Sequence, residues 1–392
     1  MFQKRYIQEK IEQDLEKKMV FIGGPRQVGK TTLARLIGNN KYSKFSYLNW
    51  DNSEDRKKIL SAQFDPNVKL LIFDEIHKYK KWKNYIKGQF DKYQERFSIL
   101  VTGSARLDLY QKGGDSLMGR YFYYRLHPFS LAEALFPQLP KIEPFNELQF
   151  RKNPDSFSKF QKMFIFGGFP EPLFSENLET LRRWHNQRMD RLVKEDIRDI
   201  ESVRDLSALQ ILVEILPNRV GSALSLSSLR EDLEVAYGTV KLWVDILERF
   251  YYHFRIYPFA SNSIKSLRKE AKMYLWDWSQ VPDAGSKLEN MVGSHLLKLC
   301  HYLYDAKGFK VELFYLRDIE KREVDFLVAV DKKPWLAIEV KNSDQAISQS
   351  LRYFGKKLSI PFQYQLVKTD QVDFIQDNVR VMSVDKFLSG LV

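Results

Sequence analysis

Short apolar runs alternate with stretches of helical period along residues 1–140. The runs at 20–23, 47–50, 69–74, 98–103 and 121–125 read as strands, with helical patterns between several of them. Near-continuous apolar strands joined by helices predict a mostly parallel sheet covered on both faces. Pro137, Pro140 and Pro144 then punctuate the chain. Residues 150–200 read as helical, interrupted by Gly167-Gly168-Phe169-Pro170-Glu171-Pro172.

The pattern changes after residue 203. Residues 206–216, 225–233 and 239–252 read as three helices, and Ser225 and Ser228 offer capping hydroxyls. Strands at 254–260 and 272–277 enclose a basic tip of Lys265, Arg268 and Lys269. Three helices and a hairpin is the order of a winged helix, which short all-helical modules partly share. Residues 286–303 read as a helix, and 311–316, 324–330, 335–340 and 362–367 as strands. The chain therefore divides into 1–140, 141–202, 203–277 and 278–392, with no internal repeat.

Composition adds little to this picture except at the level of partners. The net charge is +12, with 44% apolar and 14% aromatic residues over 392 positions. An excess of positive charge favours polyanions, nucleic acid foremost; the bland alternative is a solvated lysine-rich surface. The single cysteine, Cys300, cannot form an internal disulfide and sits in an apolar helical stretch, as a core residue would. No signal-peptide pattern and no membrane-length apolar run is visible, so a cytoplasmic protein without membrane contact is expected.

The chemistry is most legible near the N-terminus. Gly24-Pro25-Arg26-Gln27-Val28-Gly29-Lys30-Thr31 fits G-x-x-x-x-G-K-[ST] at every defined position, between an apolar run and a helical pattern that opens at Thr32. The glycines let backbone N–H groups face phosphates at a helix N-terminus. Lys30 is expected on the β- and γ-phosphates of ATP, and Thr31 on Mg²⁺. The apolar run 70–73 ends in Asp74-Glu75. Asp74 is expected to hold the ion and Glu75 to act as the general base toward water. Thr102 or Ser104, at the end of the next strand, could sense the γ-phosphate; a turn-forming strand end is the competing reading. Arg120 is a candidate arginine finger, with a surface ion pair as its alternative. His77 reads as structural support. Lys78-Tyr79-Lys80-Lys81-Trp82-Lys83 is either a nucleic-acid surface or a solvated helix start.

These residues resemble a prokaryotic family of AAA+-type ATPases. The resemblance rests on 24–32, on Phe73-Asp74-Glu75-Ile76-His77-Lys78, on Thr102-Gly103-Ser104 and on Gly167-Gly168-Phe169-Pro170-Glu171. It implies an α/β fold: a P-loop NTPase parallel sheet with a helical lid, then a winged helix, then a restriction-nuclease-like α/β domain. The C-terminal part is similar to PD-(D/E)xK nucleases, with Asp325 as the first acid, Glu339-Val340-Lys341 as the acid-x-Lys, and Glu289 as the helical acid. That likeness implies Mg²⁺ or Mn²⁺ between Asp325 and Glu339, and Lys341 positioning water or offsetting phosphorane charge. Glu-x-Lys is also common on exposed strands, and Asp325 could simply pair with Lys341.

In the winged-helix reading, Thr239, Lys241 and the tip would contact DNA. Glu231, Asp232, Glu234 and Asp245 make the helical part acidic and leave a protein-binding role equally open. Two functions stand. One is an ATPase that couples hydrolysis to a DNA-binding, nuclease-like module. The other is a nucleotide switch, with homo-oligomerisation open, whose nuclease-like part is inactive.

Overall fold

The computed structural model describes residues 4–103, 117–197, 205–260, 270–343 and 346–392. It packs as two compact units, Met1–His127 with Asp305–Gly308, and Pro128–Tyr304 with Phe309–Val392.

The first unit holds strands β1 (Met19–Gly23), β2 (Phe45–Asn49), β3 (Leu70–Asp74), β4 (Ser98–Thr102) and β5 (Tyr121–Arg125). All pair in parallel in the order β2-β3-β4-β1-β5. The five predicted strands are present, with ends shifted by a residue or two. β1 and β3 are buried along their whole length, which explains why they read as unbroken apolar runs. Helices Lys30–Lys41, Ser53–Ser61 and Trp82–Tyr93 form the crossovers. Met19, Phe21, Leu71, Phe73, Ile76, Ile86 and Val101 belong to one core cluster. The chain leaves β1 toward one edge of the sheet and returns to β5 on its other side. The crevice outside the strand C-termini at such a reversal is where α/β sheets bind ligands. Register aligns Asp74 with Thr102, and Thr102 with Ile22, along that edge.

In the second unit, helices Leu131–Leu135, Ser156–Phe166, Pro170–Ser175 and Leu178–Arg191 come first. Next are helices Leu206–Ile215, Leu226–Leu233 and Tyr237–Arg249, and then the hairpin of β6 (His253–Pro258) and β7 (Lys272–Leu275). A 24-residue helix, Ala284–Lys307, leads to β8 (Val311–Arg317), β9 (Glu323–Val330), β10 (Lys333–Lys341), β11 (Phe362–Val367), β12 (Asp373–Gln376) and β13 (Val379–Ser383). The order is β12-β13-β11-β10-β9-β8-β6-β7. β6 joins β8 in parallel through Tyr257 with Phe314 and Pro258 with Tyr315. The hairpin of 203–277 and the strands of 278–392 thus share one sheet. β12 was not anticipated from the sequence; its exposed residues carry no strand-like alternation.

Trp276-Asp277-Trp278 packs as expected at a strand end, but Asp277 does more. His185 Nε2 lies 3.4 Å and Arg188 Nη1 3.5 Å from its Oδ2. Burial pushes this carboxyl up, yet the His185 and Arg188 contacts outweigh it and hold it at about 2. Trp278 Nε1 donates to the Met163 carbonyl at 2.9 Å. The Gly167-Gly168 segment closes on this clasp: a Cβ at Gly167 would stand 2.7 Å from Asp277 Oδ1. Ser104 and the tip residues Lys265, Arg268 and Lys269 lie outside the described residues. Among the described residues no helix is long and apolar enough to cross a membrane.

Candidate active site

The phosphate loop runs from β1 to helix Lys30–Lys41 with Gly24 at φ +136° and Gly29 at φ +98°. Gly24 has no substitute there, because a Cβ would lie 2.5 Å from the Leu126 carbonyl oxygen. Gln27 is also left-handed, at φ 60°. Lys30 Nζ donates to the carbonyls of Gly24 (3.0 Å) and Pro25 (2.7 Å). Val28 is buried, and its carbonyl accepts from Arg5 Nη1 at 3.0 Å. Arg26 is half-buried, and Thr32 faces solvent on the helix.

Asp74 is buried at the end of β3 and accepts three side-chain hydroxyls. Thr31 Oγ1 (2.9 Å) and Tyr47 OH (2.6 Å) donate to Oδ2, and Thr102 Oγ1 (2.6 Å) to Oδ1. Thr102 is therefore engaged in orienting the acid. Burial, reinforced by the hydrogen bond to Asp74, pushes the Tyr47 phenol up, so it stays a donor. The Arg35 guanidinium lies over the Tyr47 ring, 4.0 Å from its centroid. Thr31 and Asp74 offer adjacent hard oxygens, the donor type Mg²⁺ takes beside phosphates, so the residues fit that ion.

Glu75 follows in a left-handed conformation, φ 55°, and its N–H donates to the Thr102 carbonyl at 3.0 Å. Burial pushes the Glu75 carboxyl up, opposed by the nearby Lys30 charge. A base raised in this way accepts a proton closer to neutrality. His77, itself buried, sits 3.4 Å from Glu75, and Lys78 Nζ 3.6 Å.

Two expectations change in this unit. Arg120 forms a forked pair with Asp91, Nε–Oδ1 2.8 Å and Nη2–Oδ2 3.3 Å, which is the surface ion pair weighed against a finger. The aromatics of 78–83 are used in packing: Tyr79 stacks on Trp50 at 4.9 Å, and Trp82 is buried against Phe21. They form no open stacking platform. Sequence reasoning missed Tyr47 and Arg5. No short motif marks either, since each reaches the site through tertiary packing.

In the second unit the structure brings Glu289, Asp325, Glu339 and Lys341 into one cluster. Asp325 Oδ2 accepts the Val340 N–H at 2.9 Å, and Lys341 Nζ lies 2.6 Å from Glu339 Oε1. The Asp325–Lys341 pair weighed as the alternative is not the one formed; a cation the sequence did not suggest lies beside Asp325. Lys272, on β7, lies 2.7 Å from Glu323, 3.3 Å from Glu289 and 3.6 Å from Asp325. Tyr274 OH donates to Glu289 at 2.6 Å. Burial and the Asp325 charge push Glu289 and Glu339 up to about 7. Among the described residues no group of three or more His, Cys, Asp or Glu is arranged to hold a metal ion. With an ammonium among the carboxylates, these residues do not fit Mg²⁺ or Mn²⁺.

Elsewhere the signals are structural. Asp232 pairs with Arg219, and Asp245 and Glu248 with Arg255, so part of the helical acidity is internally neutralised. Lys241 is exposed and Thr239 half-buried. Cys300 is buried, as expected.

Strand order, phosphate loop and paired acids define the first unit as a P-loop ATPase domain of the AAA class. Comparison with known proteins agrees: an AAA domain family matches residues 16–135. Two domains of unknown function, DUF8612 and DUF4143, match residues 157–282 and 284–387. The chain is similar over most of its length to uncharacterized protein MJ1637 of Methanocaldococcus jannaschii, 28% identical across 90% of this chain and 82% of that protein. Uncharacterized protein MJ1544 of the same organism is 24% identical across 89% and 81%. Among solved structures, the Thermotoga maritima RuvB Holliday junction branch migration motor aligns over 67% of this chain and 93% of its own, with 16% identity and a TM-score of 0.30. A katanin self-assembly structure aligns over 58% and 78%, with 18% identity and a TM-score of 0.26. Superpositions this loose carry no argument about function.

Proposed function

We propose that the protein binds and hydrolyses ATP with Mg²⁺ and uses its nucleotide state to control a C-terminal module that binds a partner without cutting it. The observation that carries the ATP half is Asp74 fixed by Thr31, Tyr47 and Thr102 directly beside the phosphate loop. Lys30 exchanges its loop carbonyls for phosphate oxygens. Thr31 and Asp74 would hold Mg²⁺, which would offset charge on the phosphates. Glu75 orients the attacking water and takes its proton. DNA is the favoured partner because of the +12 net charge.

A second reading, an ATP-linked nuclease, is favoured by one observation: Glu289, Asp325, Glu339 and Lys341 do converge. The test is a phosphate-release assay beside a cleavage assay on plasmid, single-stranded DNA and RNA, with Mg²⁺ or Mn²⁺. ATP turnover lost in Glu75→Gln, with no cleavage by wild type, supports the switch. Cleavage abolished by both Asp325→Asn and Lys341→Ala replaces it with the nuclease.

A further inference from the structure

The carboxylate cluster of the second unit already holds a cation of its own. We propose that Lys272 is the resident counter-ion of Glu289, Glu323 and Asp325 and occupies the place a divalent metal would take. This sharpens the reading of the C-terminal module as a platform that does not cut, and it is independent of the ATP site.

Placement comes first. Lys272 is fixed on both sides of its backbone, paired with Ile256 of β6 and bridged to Ala223. Its side chain is 5% exposed and runs inward to the three acids. A divalent ion would need oxygens at about 2.0–2.6 Å. The ammonium stands 2.7–3.6 Å from one oxygen each of Glu323, Glu289 and Asp325, so these acids already have a cation against them.

The acids are also committed one by one. Asp325 spends Oδ2 on the Val340 N–H and turns Oδ1 to Lys272. Glu289 Oε1 accepts from both Tyr274 and Lys272, and a Cβ at Gly221 would lie 3.1 Å from its Oε2. That side is walled by backbone. A buried carboxylate deprived of its cation is strongly destabilising, so the lysine is not idle decoration.

One position remains receptive. Glu339 Oε2 is buried and has no hydrogen-bond partner among the described residues. Removing the Lys272 ammonium would leave this oxygen and Asp325 Oδ1 as ligands in search of a cation. The lysine therefore supplies the positive charge that these acids would otherwise draw from a metal ion.

The experiment is a Mn²⁺ titration read by electron paramagnetic resonance. It uses nucleotide-free full-length protein carrying Asp74→Asn to silence the phosphate-loop site. That parent shows no Mn²⁺ site that Asp325→Asn removes. Lys272→Met gains one Mn²⁺ equivalent, held at least about tenfold more tightly than any in the parent. Adding Asp325→Asn abolishes it, and Lys272→Arg does not create it. Circular dichroism reports folding of each variant. A parent that already binds Mn²⁺ through Asp325 overturns the proposal, and so does a folded Lys272→Met that gains nothing. If Lys272→Met does not fold, the parent and its Asp325→Asn variant decide alone. Mn²⁺ binding by the parent without nucleic-acid cleavage sinks the counter-ion assignment and leaves the platform reading intact; cleavage sinks both.

Discussion

Both units set a lysine beside acids, and they use it in opposite ways. Lys30 is held by the neutral carbonyls of Gly24 and Pro25, while Asp74 is satisfied by hydroxyls. Lys272 is held by three carboxylates. Both lysines are charged donors, whose hydrogen bonds contribute about 1.5–3 kcal/mol net. A neutral carbonyl left behind loses only a hydrogen bond, whereas a buried carboxylate left behind keeps an uncompensated charge. A lysine resting on carbonyls can turn to an incoming polyphosphate at small cost. One resting on buried carboxylates cannot leave without stranding them. The first arrangement is poised for a ligand and the second is closed.

The largest expected effects probe the poised site. Lys30→Ala should abolish ATP binding in a nucleotide titration, and unchanged affinity would remove the loop from the site. Glu75→Gln should keep binding but lower steady-state turnover by about 10²–10⁴-fold, the range for a positioned acid–base group. Normal phosphate release would exclude Glu75 as the base.

Tyr47→Phe is the intermediate case, since it removes one of three hydroxyls from Asp74. A loss of about 1.5–3 kcal/mol, the range for a hydrogen bond to a charged group, corresponds to a Mg²⁺ requirement raised about 12- to 160-fold. ATP binding without metal should be unaffected. An unchanged Mg²⁺ dependence would show that Thr31 and Thr102 hold Asp74 unaided.

The closed site should announce itself through pH. Glu289 and Glu339, raised to about 7 by burial and the Asp325 charge, favour the folded state while protonated. Their contribution is complete below the unfolded value of about 4.3 and fades as pH rises to about 7. Urea unfolding at pH 5 and pH 8 should show wild type losing more stability over that interval than Glu339→Gln. Equal losses would mean that Glu339 ionises normally in the fold. The smallest effect is assigned to Arg120→Ala. Its partner Asp91 is exposed, so thermal midpoint and turnover should barely move. A sharp loss of turnover would restore the finger reading.

The sequence resolved what short-range pattern encodes. The apolar runs of β1 and β3 gave away the first sheet because both their faces are buried. The phosphate loop and Asp74-Glu75 are contiguous in the chain, so the site was readable without a fold. Asp325, Glu339 and Lys341 were readable as types on strands and Glu289 as a helical acid, and they do meet. Lys272 was not, because it comes from a hairpin assigned to another segment and reaches the acids only across a shared sheet. Tyr47 escaped for the same reason: a strand tyrosine reads as core until register sets its hydroxyl against Asp74. For Arg120 the sequence left a finger and a surface ion pair open, and the side chain is found paired with Asp91.

The shared sheet of the second unit has a practical side. The pairing of Tyr257 and Pro258 with β8, closed by the Phe259 N–H donating to the Tyr315 carbonyl, stitches across residue 277, where the pattern of the sequence suggests a boundary. Separating the chain there would strip β8 of a neighbour and leave a raw strand edge, which is an invitation to sticky association. Whoever divides this protein for study should keep residues 253–275 with everything that follows them.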